Sequence, residues 1–142
     1  MSTQKVDYML LFRGTNWDKD LSPEQIQKVV SDWYAWFERL KQEGRCLGGH
    51  PLQNQGKMVS GKGGRQVADG PFAESKEAIG GYFYLQVADE AEAVAIARQC
   101  PGLEYGSVVE VRPVAEMCSV RARAVNDGII TAEIYRETVG AR

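Results

Sequence analysis

Val6, Tyr8, Leu10 and Phe12 alternate with Asp7, Met9, Leu11 and Arg13, and this period of two predicts a first strand over Val6 to Arg13. Both of its faces are largely apolar, so cover on both sides is expected. Gly14 to Leu21 reads as a loop. A helix then starts with Ser22 as N-cap, Pro23 at the first helical position and Gln25 closing a capping box. Ile26, Val29, Val30, Trp33, Phe37 and Leu40 recur at helical spacing and form one stripe, which Trp36 widens. Gly44 stands where the helix should stop.

Arg45 to Leu52 predicts a short strand interrupted by Gly48-Gly49. Lys57 to Ser60 and Arg65 to Ala68 predict a hairpin around Gly61-Lys62-Gly63-Gly64. Gly81 to Val87 alternates cleanly, with Tyr82, Tyr84 and Gln86 on one face and Phe83, Leu85 and Val87 on the other. Asp89 and Glu92 form the capping signal of a second helix, whose buried face is Ala93, Val94, Ala97 and Cys100. Pro101-Gly102 ends it. Ser107 to Val114 predicts the last core strand. Beyond it, Asn126-Asp127-Gly128 between Val120–Val125 and Ile129–Tyr135 suggests a hairpin, with a helix over Thr131 to Thr138 as the competing reading.

This order is a split βαβ plan, so the expected fold is α+β and ferredoxin-like with an antiparallel sheet. Right-handed crossovers put both helices on one face of the sheet. The other face is then open, and Tyr8, Leu10, Phe12, Tyr82 and Tyr84 are expected to occupy it. An apolar face of this kind marks an interface. Two arrangements satisfy it: a homodimer with sheet faces packed together, or a tail folded back over the sheet.

The chain has 142 residues, with 44% apolar and 25% charged residues, and a net charge of -2. That suits one globular domain with its own core. It lacks the basic excess of a nucleic-acid surface. No apolar run reaches the length of a membrane span, and the N-terminus lacks the apolar region of a signal peptide, so no membrane association and a cytoplasmic location are expected. Cys46, Cys100 and Cys118 form no CxxC pair, and there is one histidine, so no metal and no cofactor are expected.

Candidate chemistry concentrates in Asp69-Gly-Pro-Phe-Ala-Glu-Ser-Lys-Glu-Ala-Ile-Gly-Gly-Tyr82, which packs turn signals and charge between two strands. Asp69 is either a base at a pocket mouth or an Asx-turn acceptor. His50 is either a proton-transfer group, histidine being the side chain that titrates near neutrality, or an ordinary strand residue. Arg13 and Arg112 end strands, where a guanidinium fork can hold a carboxylate ligand or simply face solvent. Glu74, Lys76 and Glu77 read as a solvated turn of helix, or else Glu74 or Glu77 reaches Arg13 or Arg112 and braces the loop. Gly80-Gly81 suits a bulge or a close backbone approach. Tyr82 and Tyr84 either line a pocket or fill an interface. The Gly61–Arg65 segment lacks the spacing of a phosphate loop and reads as a hairpin tip.

Tyr8-Met-Leu-Leu-Phe-Arg13, Leu47-Gly-Gly49, Asp69-Gly-Pro-Phe-Ala-Glu-Ser-Lys-Glu77 with Gly80-Gly-Tyr82, and Val109-Glu-Val-Arg-Pro-Val114 together resemble the YCII-related family, and within it the DGPF subfamily. The resemblance runs from Val6 to about Met117. It implies a domain over 1–117, a C-terminal extension over 118–142, and a dimeric α/β barrel that closes around small-molecule pockets. The resemblance and the candidate residues together leave two functional expectations. One is a lyase or isomerase acting on a lactone or similar acid, with Asp69 and His50 as catalytic residues and Arg13, Tyr82, Tyr84 and Arg112 binding substrate. The other is a non-catalytic accessory role beside an extracytoplasmic-function sigma factor. Enzymatic relatives carry a histidine in or near the first helix; this chain has Ser31, Asp32, Trp33 and Tyr34 there, and its histidine is on the second strand.

Overall fold

The computed structural model describes residues 4–72 and 75–129. In chain order the elements are β1 (Val6–Arg13), α1 (Pro23–Gln42), β2 (Cys46–Pro51), β3 (Lys57–Ser60), β4 (Gln66–Asp69), β5 (Ile79–Val87), α2 (Glu90–Ala97), β6 (Val108–Pro113) and α3 (Ser119–Asn126). Four strands make one sheet in the order β2-β5-β1-β6, with every neighbour antiparallel. β3 and β4 pair only with each other, as a hairpin inserted between β2 and β5. This is the α+β, ferredoxin-like split βαβ architecture expected from the pattern.

Helix α1 forms because both of its ends are satisfied. Ser22 Oγ accepts from the Gln25 amide at 3.1 Å, and Gln25 Oε1 accepts from the Ser22 amide at 2.9 Å, which completes the capping box. At the other end Arg45 N–H donates to Leu40 O and Gly44 N–H to Lys41 O, with Gly44 at φ 74°. That is a Schellman stop, and glycine adopts its left-handed conformation without the Cβ penalty. Val29, Trp36 and Leu40 are buried, Trp33 and Phe37 pack against the core from its edge, and Val30 is exposed. The buried stripe is therefore centred on Trp36, which the pattern had only as a widening residue. In α2, Asp89 accepts from the Glu92 amide, while Glu92 reaches the Ala88 amide, one residue before the cap. Ile96, absent from the expected face, is fully buried beside Ala93 and Ala97.

Strand register corrects one expectation about the faces. Tyr8 lies opposite Leu85, and Leu10 opposite Phe83. Directly opposed residues point to the same side of a sheet. This set is buried under both helices, with Trp36, Leu40, Ala93, Ile96 and Ala97. Tyr8, Leu10 and Phe12 are thus core and not part of the open face. The open face carries Met9 and Leu11, opposite Tyr84 and Tyr82, so the two tyrosines do lie on it. Alternation groups residues by parity, but where both parities are apolar it does not say which set meets the helices.

The hairpin expected around Asn126-Asp127-Gly128 does not form. Residues 119–126 are helical, and Gly128 at φ 76° follows the C-cap. Arg121, Ala122, Arg123 and Ala124 are good helix formers, so the Asn-Asp-Gly run serves as a stop. The competing helix over 131–138, like Glu74, falls outside the described residues. Among those residues no helix is long and apolar enough to cross a membrane.

Two predictions follow from the core. Trp36 is 2% exposed and packs on Phe12 and Phe83. Trp36→Ala should cost about 3–5 kcal/mol in urea unfolding. The cysteines divide by burial. Burial raises the Cys46 thiol and pushes Cys100 up to about 11, whereas exposed Cys118 is lowered by hydrogen bonds from the backbone at Arg121 and Val120. A disulfide reagent at pH 7.5 should therefore titrate one thiol quickly in the native protein and all three in denaturant.

Candidate functional site

A cavity of about 300 Å³ opens at the end of the sheet. It is bounded by α1, by the loop after β1, and by the end of β2 and the start of β5. Its wall is aromatic. Phe12 meets Trp33 edge-on at 5.1 Å between ring centroids, and Trp17 stacks on Trp33 at 6.3 Å. Tyr34 and Phe37 add to it from α1. Ser107, Thr15 and Asn54 contribute polar groups.

Glycines permit the backbones to meet at this wall. A Cβ at Gly49 would overlap the Tyr82 carbonyl oxygen and come within 2.9 Å of the Phe83 ring. One at Gly81 would stand 2.9 Å from His50 O. The register between β1 and β5 also shifts here, with Phe12 opposite Gly81 but Arg13 opposite Ile79, so the Gly80-Gly81 pair takes up both the bulge and the close approach.

His50 and Tyr82 are cross-strand partners on β2 and β5. His50 Nδ1 lies 2.7 Å from the Tyr82 hydroxyl, and both residues line the cavity. The bond admits two tautomers. Either Nδ1–H donates to the phenolic oxygen and Nε2 is left as a base, or the phenol donates to Nδ1 and Nε2–H is left as a hydrogen-bond donor.

The other sequence candidates are dispersed. Asp69 ends β4 and pairs with the ammonium of Lys57, its cross-strand partner on the hairpin. It is exposed and lines neither the aromatic cavity nor the second cavity beside it. The sequence's most prominent motif therefore does not place its carboxylate beside His50 within this chain. Arg13 lines the aromatic cavity, but its Nε pairs with Glu110 at 2.7 Å and its Nη1 donates to the carbonyls of Lys76 and Glu77. It braces the signature loop through backbone oxygens. Arg112 lies 3.5 Å from the other oxygen of Glu110 and outside the cavity wall. Tyr84 donates to Asp7 Oδ2 at 2.7 Å, and this bond raises its phenol above the ordinary range.

Sequence reasoning missed most of the wall. Trp33 and Phe37 read as core, and they are core on one side and cavity wall on the other. Trp17, a lone aromatic in the polar loop Thr15-Asn-Trp-Asp-Lys-Asp20, was a signal left unused. Asn54 carried none. Among the described residues no group of three or more His, Cys, Asp or Glu side chains is disposed to hold a metal ion.

Comparison with known proteins places the chain. No curated protein sequence matches it. A hydroxynitrile lyase from Passiflora edulis is a similar solved structure, at 12% identity over 82% of this chain and 99% of that one, with a TM-score of 0.34. The model of the YCII-related domain matches residues 7–118, which run from β1 through β6. The chain belongs to the YCII-related family.

Proposed function

We propose that this protein binds a small molecule in the aromatic cavity and that His50, positioned by Tyr82, exchanges a proton with it. The observation that carries this reading is the 2.7 Å contact between His50 Nδ1 and the Tyr82 hydroxyl, made on the open face of the sheet by two residues that border the aromatic cavity. An imidazole that accepts a proton from the substrate as a general base can return it as the imidazolium, the requirement of a lyase or isomerase acting on a lactone or similar acid. The aromatic wall provides ring faces for an apolar substrate body. Asp69 and Arg112 have no part in this step. Arg13 shapes the cavity, with its charge already met by Glu110. The Asp69-Gly-Pro-Phe72 signature supports placing the chain in the DGPF subfamily.

The reading includes a homodimer. Met9, Leu11, Tyr82 and Tyr84 are half-buried on a sheet face that neither α1 nor α2 covers. Met58, Val59 and Val67 on the hairpin, and Phe72 just beyond it, are exposed. A lone two-stranded hairpin is marginal in water. A second copy across the open face would satisfy both.

Trp17 and Trp33 report on the cavity. Quenching of tryptophan fluorescence by small lactones and hydroxy acids should identify a ligand. With a turned-over substrate, His50→Ala should lower kcat by about 10²- to 10⁴-fold while binding persists. Turnover unchanged in His50→Ala would overturn the proton-transfer role. Binding without turnover by the wild type would favour the non-catalytic accessory role. Light scattering in solution should give twice the chain mass, and a monomer at micromolar concentration would remove the dimer.

A further inference from the structure

A second cavity of about 380 Å³ adjoins the first at the base of the hairpin. Thr15, Leu52 and Asn54 line both, so the two share a wall. Their chemistry differs. The first is walled by aromatic residues; the second is lined by Gln53, Asn54 and Gln55 together with Leu52, Pro71 and Ile79. The first cavity alone stands at the lower end of the roughly 300–1,000 Å³ that ligand sites occupy, and the two together fall well inside it.

The charged groups beside the two cavities restrict what fits. Arg13 is held by Glu110 and two backbone carbonyls. Lys57 is held by Asp69. Glu77 lines the second cavity and has no ion-pair partner among the described residues. An anionic ligand end would meet a carboxylate and two cations that are already neutralised. Carboxamides both donate and accept, so they match a neutral amide or hydroxyl.

We infer that the ligand is an elongated, amphipathic molecule with an aromatic body in the first cavity and an uncharged amide- or hydroxyl-bearing arm in the second. This rests on the small-molecule reading of the first cavity and deepens it by naming the ligand class. Loss of charge-free hydrogen-bonding partners along the arm, not loss of an ion pair, should then weaken binding.

Ligand-observed NMR titration of the full chain with indole, indole-3-acetamide and indole-3-acetate tests it. Indole alone should bind. The acetamide should bind about tenfold tighter, as one or two net hydrogen bonds allow. The acetate should gain nothing over indole. In Gln53→Ala/Gln55→Ala the advantage of the acetamide should vanish. If indole binds and the acetamide gains nothing, if the gain survives in the double variant, or if the acetate gains as much, the two-cavity inference falls while the first cavity stands. If none of the three binds, the cavity reading itself falls, and this inference with it.

Discussion

Phe12 is the hub on which the structure turns. Its ring meets Trp33, Trp36 and Phe83 edge-on, at centroid distances of 5.1, 6.0 and 4.8 Å. Such contacts add about 0.5–1.5 kcal/mol each beyond the area they bury, and they fix direction as well as distance. One strand residue therefore sets both where α1 lies on the sheet and which way its aromatic side chains face. The cavity is the outer side of that cluster. Trp33 and Phe37 belong at once to the core and to the wall.

The open face of the sheet shows a complementary economy. Asp7 accepts from Tyr84 and from Gln86. Glu110 lies between Arg13 and Arg112. The polar groups of this face are thus partnered within the chain. Burying such a face leaves few unpaired groups, and unpaired groups are what make polar burial costly. Arginines that read as ligand clamps from their positions alone are, in three dimensions, half of ion pairs.

Much of the fold was legible because local grammar and global packing agree. The capping box at Ser22, the stop at Gly44 and the alternation of β5 each need only a few neighbouring residues. The face assignment of β1 was not legible, since Tyr8, Leu10 and Phe12 and their alternates Met9 and Leu11 are both apolar. Only pairing with β5 separates them. The site was harder still. His50 and Tyr82 stand 32 positions apart and meet through the register of β2 on β5. No motif spells that register. Asp69 stood out in sequence because it opens a dense turn, and its structural partner is Lys57 on the same hairpin.

The glycines at the rim have a consequence for how such a pocket diversifies. Gly49 and Gly81 stand where added atoms would strike the backbone of the adjoining strand. At these two positions the sheet side of the cavity is therefore closed to larger side chains. Val30 and Tyr34, on exposed turns of α1, and the segment around Leu52 and Asn54 border the same space without that restriction. Relatives that keep this sheet and alter what they recognise should keep small residues at these two crossings and vary the helix and the loop.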